Sequence, residues 1–367
     1  MSARDPTRRV VDGRSWAEFC EALRRAGEVV LREGSPKDPL DRAEGYRYLG
    51  RLSRSALEAF LDGADPKAPV LRRPAHETLK LGADNPDNRY ESATISGRYE
   101  YQLHGTRGSV HYLGFGTYLG SYGSGERTGT SGYLEATDLE IDPDGRFEIL
   151  LSCARKPGNW LPMEPETSLL IVRQTFLDRK RERAATLSLE RLGASGPPAP
   201  LSAEQIDTGL ARAGAWVQGT AELFADWAES FARQPNRLPL FDPERARAAH
   251  GDPHIAYFHG YWVLAEHEAL VIEVEPPPCE YWNFQLNNHW MESLDYRYHR
   301  ISLNHHQARY RSDGSVRIVV AHRDPGVENW LETAGHTRGT MCLRWIRAHE
   351  HPEPRTRVVP WAELRSR

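Results

Sequence analysis

The sequence predicts an α+β protein. It should hold two copies of one antiparallel β-sandwich or jelly-roll-like unit, with N-terminal helices and a long helix between the copies. Three observations carry this. The stretch DGRFEILLSCARKPGNWL (144–161) is echoed by DGSVRIVVAHRDPGVENWL (313–331). Apolar and polar residues alternate on both sides of the chain's middle, the period of half-buried strands. Between the alternating stretches lies a run of helical period, entered through a Pro/Gly-rich segment. Two antiparallel sheets bury their apolar faces by packing on each other, so each copy is expected to be a sandwich.

The elements follow in order. Residues 15–33 repeat apolar side chains at helical spacing (Phe19, Leu23, Ala26, Val30), and Ser15 with Glu18 has the spacing of a capping box. A second helix is expected over 42–61, with Tyr46, Leu49, Leu57 and Phe60 on one side and Gly63 closing it. Together they form an N-terminal helical region, 1–68. From 69 to 192 the alternation is broken by the turn signals GADNPDN, TRG and DPDG, which reads as the first β repeat. Residues 193–250 combine the linker GASGPPAP with a helix capped by Ser202 and Gln205. Its stripe of Ile206, Leu210, Ala213, Val217, Thr220, Phe224, Trp227 and Phe231 is expected to be plain packing. The alternation then returns over 251–367, the second β repeat.

Two glycine-containing stretches need a reading. GFGTYLG (114–120) lacks the strand-to-helix context of a dinucleotide fingerprint, so it is read as a loop running on into SYGSGERTGTSG. GADNPDNRY (82–90) reads as a cluster of Asx turns, with the polar edge of a ligand site as the alternative.

Composition excludes several classes. A net charge of −4 is wrong for a general nucleic-acid binder, which needs a basic surface. No apolar run approaches the ~18 residues of a membrane span. The four cysteines (20, 153, 279, 342) include no CxxC pair and read as reduced thiols. With no apolar segment near the N-terminus, the expectation is a cytoplasmic protein. The 10 Trp, 15 Tyr and 15 His suit either a ligand cavity or an aromatic-rimmed β core.

The echo extends upstream, where Tyr112 and Phe115 recur as Tyr281 and Phe284, but Cys153 is replaced by His322. Taking Pro143-Asp144-Gly145 as a three-residue hairpin loop with a left-handed glycine sets Ile141 opposite Phe147. The same register in the second copy aligns Asn304, His306 and His322 on one face, where the first copy has Glu135, Thr137 and Cys153. The shared DG, PG and NWL elements read as scaffold, and the imidazoles as specialisation of the second copy.

The preceding run, 287–307, adds Glu292 and Asp295 with Trp290 and Tyr296 between other histidines. Acid–base chemistry needs a carboxylate and an imidazole whose environments separate their pKa values. The expected catalytic residues are therefore His322, His306, Glu292 and Asp295. The expected ligand-binding residues are Asn304, Arg323, Trp290, Tyr296, Asp324 and His336, with Arg323 holding an anionic oxygen. The competing structural reading is a core histidine bonded to an asparagine beside a solvated polar loop. No cofactor is predicted. With neither HxH nor HExxH in this run, a divalent metal would have to be held by His306 and His322 from separate strands.

ESLDYRYHRISLNHHQARY (292–310) and DGSVRIVVAHRDPGVENWLETAGH (313–336) resemble the bacterial domain-of-unknown-function family numbered twelve-fourteen. YRYLGRLSRSALEAF (46–60) and GADNPDNRYESATISG (82–97) resemble the N-terminal part of its longer members. The resemblance implies a β-rich fold and brings no assigned catalytic role to Glu292, Ser293, Asp295, Asn304, His306, Gln307, His322, Arg323, Asp324, Asn329, Trp330 or His336.

The functional expectation is a cofactor-independent enzyme of hydrolase or lyase type acting on a small, partly apolar molecule. The alternatives are a non-catalytic binder of a carbohydrate- or lipid-like ligand and a His/carboxylate metalloenzyme. The expected partner is a small molecule, neither nucleic acid nor membrane. Uncovered sheet edges would also suit a homo-oligomer.

Overall fold

The computed structural model describes residues 5–194 and 196–366; the first four residues, Ser195 of the linker and Arg367 lie outside the described residues. The first copy runs β1 (Asn88–Thr94), β2 (Tyr101–Thr106), β3 (Tyr112–Leu119), β4 (Gly129–Glu135), β5 (Arg146–Ser152), β6 (Trp160–Pro162), β7 (Thr167–Thr175) and β8 (Thr186–Arg191). The second runs β9 (Ile255–Val263), β10 (Glu268–Val274), β11 (Tyr281–Leu286), β12 (Ser302–Asn304), β13 (Val316–Ala321), β14 (Trp330–Glu332), β15 (Arg338–Ile346) and β16 (Arg355–Pro360).

The two copies have the same topology. The first forms sheets ordered β1-β7-β3-β4 and β6-β5-β2-β8, and the second forms β9-β15-β11-β12 and β14-β13-β10-β16. Each pair of sheets closes over one core. Leu103, Phe115, Ile149 and Val172 share the first. Phe258, Ile272, Phe284, Ile318 and Trp345 share the second. The repeat read in the sequence is thus a duplicated β-sandwich.

The echoed motifs are scaffold in both copies. Gly145 and Gly314 both have φ 83°, the left-handed conformation a three-residue hairpin loop requires of its glycine. The Asn159 side chain bonds to the backbone of Glu140 and Glu148. Asn329 does the same to Arg309 and Arg317. Trp160 and Trp330 donate their indole N–H to Ser152 and Ala321 carbonyls at the end of the neighbouring strand. Leu161 and Leu331 are fully buried.

Helices pack outside the sandwiches. They are α1 (Pro6–Val11), α2 (Arg14–Leu31), α3 (Pro39–Leu57) with a π turn (Glu58–Asp62), α4 (Ala203–Ala232) and α5 (Pro243–Ala248). The capping box of Ser202 and Gln205 forms at α4. The predicted one at Ser15 does not: Gly13 caps α2, and the Ser15 hydroxyl donates to Asp207 of α4 at 2.5 Å. Tyr46 is exposed, and Tyr48 takes the buried place. Among the described residues, no helix is long and apolar enough to cross a membrane. The four cysteines are free thiols.

Two sequence expectations are overturned. GFGTYLG is not a loop, because all of Tyr112–Leu119 is the buried strand β3, and only 120–128 is loop. The hairpin register of the second copy holds at its tip, where Tyr310 pairs with Val316, and goes no further. Asn304 on β12 pairs with Asn283 on β11, whereas β13 belongs to the other sheet. Asn304, His306 and His322 therefore do not share a face. The chain crosses from one sheet to the other after the turn, which local alternation cannot reveal.

Candidate site: an arginine-lined cavity between the two sandwiches

The largest change from expectation concerns the outer faces of β1-β7 and β9-β15. In a solvated sandwich these faces would be polar. Here they turn toward each other and are covered by α4, leaving a cavity of about 240 Å³. Strand alternation supplies its walls. Leu170 and Val172 point into the first core, so Leu169, Ile171 and Arg173 point into the cavity. Phe258 points into the second core, so Tyr257 and His259 point into the cavity. Phe224 and Trp227 of α4, with Phe241 and Tyr122, complete an aromatic lining. The lower part of the α4 stripe is thus cavity wall as well as packing.

Several of the polar groups on this wall are buried. Arg173 donates to Tyr118 Oη and to the His250 carbonyl, both at 2.6 Å. Arg344 donates to Gln285 Oε1 at 2.6 Å, to Asn283 Oδ1 at 3.3 Å and to the Ala83 carbonyl. Asp84 accepts from the Ser293 backbone N–H at 3.0 Å and its hydroxyl at 2.8 Å. Burial pushes its carboxyl above the usual range, against the pull of Lys80.

His250 stacks on Tyr122, with 5.3 Å between ring centroids, and its Nε2 lies 3.0 Å from the Leu119 carbonyl. Burial holds its pKa down at about 4. His259 is stacked between Phe231 and Tyr257, with its Nδ1 buried and without a partner. Burial, reinforced by Arg344, lowers its pKa to about 3. Both imidazoles are neutral at physiological pH.

The backbone here is strained. Ala83 (φ 57°) and Met291 (φ 55°) are left-handed non-glycine residues joined by an Ala83 N–H to Met291 carbonyl bond of 2.6 Å. Such conformations persist only where the surroundings impose them. The GADNPDNRY segment is therefore more than a turn cluster: Gly82, Ala83, Asp84, Asn88 and Tyr90 form one edge of the cavity.

The residues singled out from sequence lie elsewhere, and none lines the cavity. Three of them meet in a second buried network, against α3. Trp290 donates to the Asp41 carbonyl, Glu292 pairs with Arg51 at 2.5 Å, and His336 bonds Glu44 at 2.8 Å. Asn288 bridges Glu44 and Glu292. This network docks the N-terminal helices on the second sandwich.

The rest are dispersed. His322 bonds Thr333 Oγ1 at 2.8 Å and the Leu264 carbonyl at 3.3 Å. Its counterpart Cys153 makes the equivalent tie, Sγ to the Gly97 carbonyl at 3.2 Å. Both residues strap the turn between the first two strands of their own copy, so the Cys/His difference has a shared structural role. Asn304 binds Asp87 and the Leu177 carbonyl. His306 is exposed. Asp295 pairs with Arg297, which lowers its pKa to about 2. Lys80 sits over the Tyr296 ring, exposed Arg323 covers Trp361, and Asp324 accepts the Gly326 N–H of its turn. Among the described residues no three His, Cys, Asp or Glu side chains gather as a metal site.

The sequence did contain a signal for the cavity. IVRQT and CLRWI each carry one arginine directly after an apolar run, at matching places of the repeat. A charged residue there needs either solvent or a buried partner.

Fold and site define a duplicated β-sandwich protein with an arginine-lined cavity between its halves. Residues 265–350 match the family model described as Protein of unknown function (DUF1214). A Burkholderia cenocepacia protein of known crystal structure is 50% identical, with a TM-score of 0.96 over 98% of this chain and 100% of its own. The chain belongs to that protein's family. The VPA0106 protein of Vibrio parahaemolyticus shares the fold at 12% identity, with a TM-score of 0.51 over 92% of this chain and 100% of its own. No curated protein matches.

Proposed function

We propose that the protein binds one small, partly apolar organic molecule in the cavity between its two sandwiches. The observation that supports this reading is the wall itself. It is an aromatic lining from both copies and α4 interrupted by hydrogen-bonded polar groups such as Arg173, Arg344 and Asp84, which suits a small-molecule site. Native mass spectrometry of untagged protein, compared with the denatured mass, tests it. The expected result is a releasable organic mass that rebinds at one per chain and changes the fluorescence of Trp216 and Trp227. The reading fails if no mass is retained and no small carboxylate or alcohol alters that fluorescence.

A second reading, that the bound molecule is also transformed by acid–base chemistry, is favoured by His259 and Asp84. Both are buried on one wall, where burial keeps the His259 imidazole neutral and favours the protonated form of Asp84. Its test is consumption of the released molecule followed by NMR, with His259→Phe as the control. If the molecule is returned unchanged by the wild type, the protein is a binder only.

A further inference from the structure

The cavity wall carries guanidiniums that no carboxylate of the described residues pairs with directly. Arg173 and Arg344 are both buried, and every group they donate to is neutral: a phenol, two side-chain amides and two backbone carbonyls. Arg72, on the same wall, has its Nε buried with no hydrogen-bond partner. Among the described residues no carboxylate lies within 4 Å of these three guanidiniums, whereas Arg9, Arg32 and Arg51 of the helical layer are all so paired. The one carboxylate on the wall, Asp84, is engaged by Ser293.

A guanidinium stays charged at any physiological pH, and taking it out of water costs several kcal/mol unless an anion and good hydrogen bonds repay it. Asp252, Asp84 and Glu58 act on Arg173, Arg344 and Arg72 only from beyond contact, so direct pairing of these guanidiniums is left to a group from outside. Planar guanidinium forks match a carboxylate in shape and hydrogen-bond direction. The aromatic remainder of the wall suits an apolar body.

We propose that the ligand is an organic carboxylate with an aromatic or short aliphatic body, its anionic head facing Arg173 and Arg344 with Arg72 beside them. This rests on the cavity being the binding site.

The test is calorimetric titration of the full-length chain with three matched pairs: benzoate and benzyl alcohol, trans-cinnamate and cinnamyl alcohol, octanoate and octanol. At least one carboxylate should bind at one site about 30-fold tighter than its alcohol, the scale of one or two charge-assisted hydrogen bonds. Arg173→Gln, Arg344→Gln and the less buried Arg72→Gln should each remove about tenfold of the carboxylate affinity and leave the alcohol affinity unchanged. Alcohols binding as tightly as carboxylates overturn the anion proposal but leave the cavity reading standing. Neither class binding overturns both. A carboxylate that binds equally to all three variants also overturns the proposal. Should a variant fail to fold, the wild-type comparison of carboxylate with alcohol still decides.

Discussion

Arg173 and Arg344 occupy the same position in the two copies. Arg173 on β7 is paired across the sheet with Tyr90 of β1, and Arg344 on β15 with Tyr257 of β9. Two Tyr–Arg pairs thus meet at one cavity, on faces that the duplication brings together. The first arginine is held by Tyr118, the second by Asn283 and Gln285. The copies keep the cation and have changed what holds it.

The asparagine staples should differ in strength. Asn329 is buried and makes three backbone bonds, while its counterpart Asn159 makes the same three at a more open place. Asn329→Ala should cost roughly 2–3 kcal/mol by leaving buried backbone groups unpaired, and Asn159→Ala about half that. Urea unfolding of both variants checks it; equal losses would mean that burial does not set the strength of the staple.

The His336–Glu44 contact makes docking of α3 depend on pH. Burial opposes the charge on His336, but the Glu44 carboxylate outweighs it, so the folded pKa is raised above its ordinary value of about 6.5. Burial raises Glu44, but His336 outweighs it, so Glu44 is lowered below about 4.5. The histidine's contribution is full below its unfolded pKa and is lost as pH rises through the folded one. The carboxylate's contribution is full above its unfolded pKa and is lost as pH falls through the folded one. The contact should therefore stabilise most between about pH 4.5 and 6.5. His336→Gln should cost roughly 1–3 kcal/mol at pH 6 and distinctly less at pH 9. A gap between wild type and variant that is the same at both pH values would contradict this.

The loop 120–128 is held against α4 by a contact between two glycines. A Cβ on Gly219 would overlap the backbone of Gly123. The adjacent Tyr122 covers the cavity, stacking on Trp216 and His250 and donating to the Ala249 carbonyl at 2.7 Å. Gly219→Ala gains up to about 1 kcal/mol of helix propensity but must push the loop away. Trypsin cleavage after exposed Arg127 should accelerate about fivefold, a local opening of about 1 kcal/mol. Unchanged cleavage would show that the loop tolerates the methyl group.

His322→Gln should leave ligand affinity unchanged, because His322 does not line the cavity. The loss of one of its two ties should lower stability by about 0.5–1.5 kcal/mol. Ligand binding weakened tenfold, with the melting curve unmoved, would return His322 to the functional site.

The sequence by itself determined the duplication, the hairpin glycines, the staple of Asn, Trp and Leu, and the cap and buried stripe of α4. Each rests on contacts between residues near in the chain or on a period of two or 3.6, and local physics writes these directly into the order of residues. It located the histidines but not their roles, since Cys153 and His322 strap equivalent turns. Only the tertiary structure decided which sheet β12 and β13 belong to, that Glu292 and His336 face α3, and that the outer faces of two sheets close on each other. Those outcomes depend on how separate sheets pack, which alternation within one strand does not encode. A strand shows that it has two faces, but not what covers the second one. Here the second face of β7 and β15 is covered by the other copy and α4, and two arginines that would otherwise lie in solvent are enclosed.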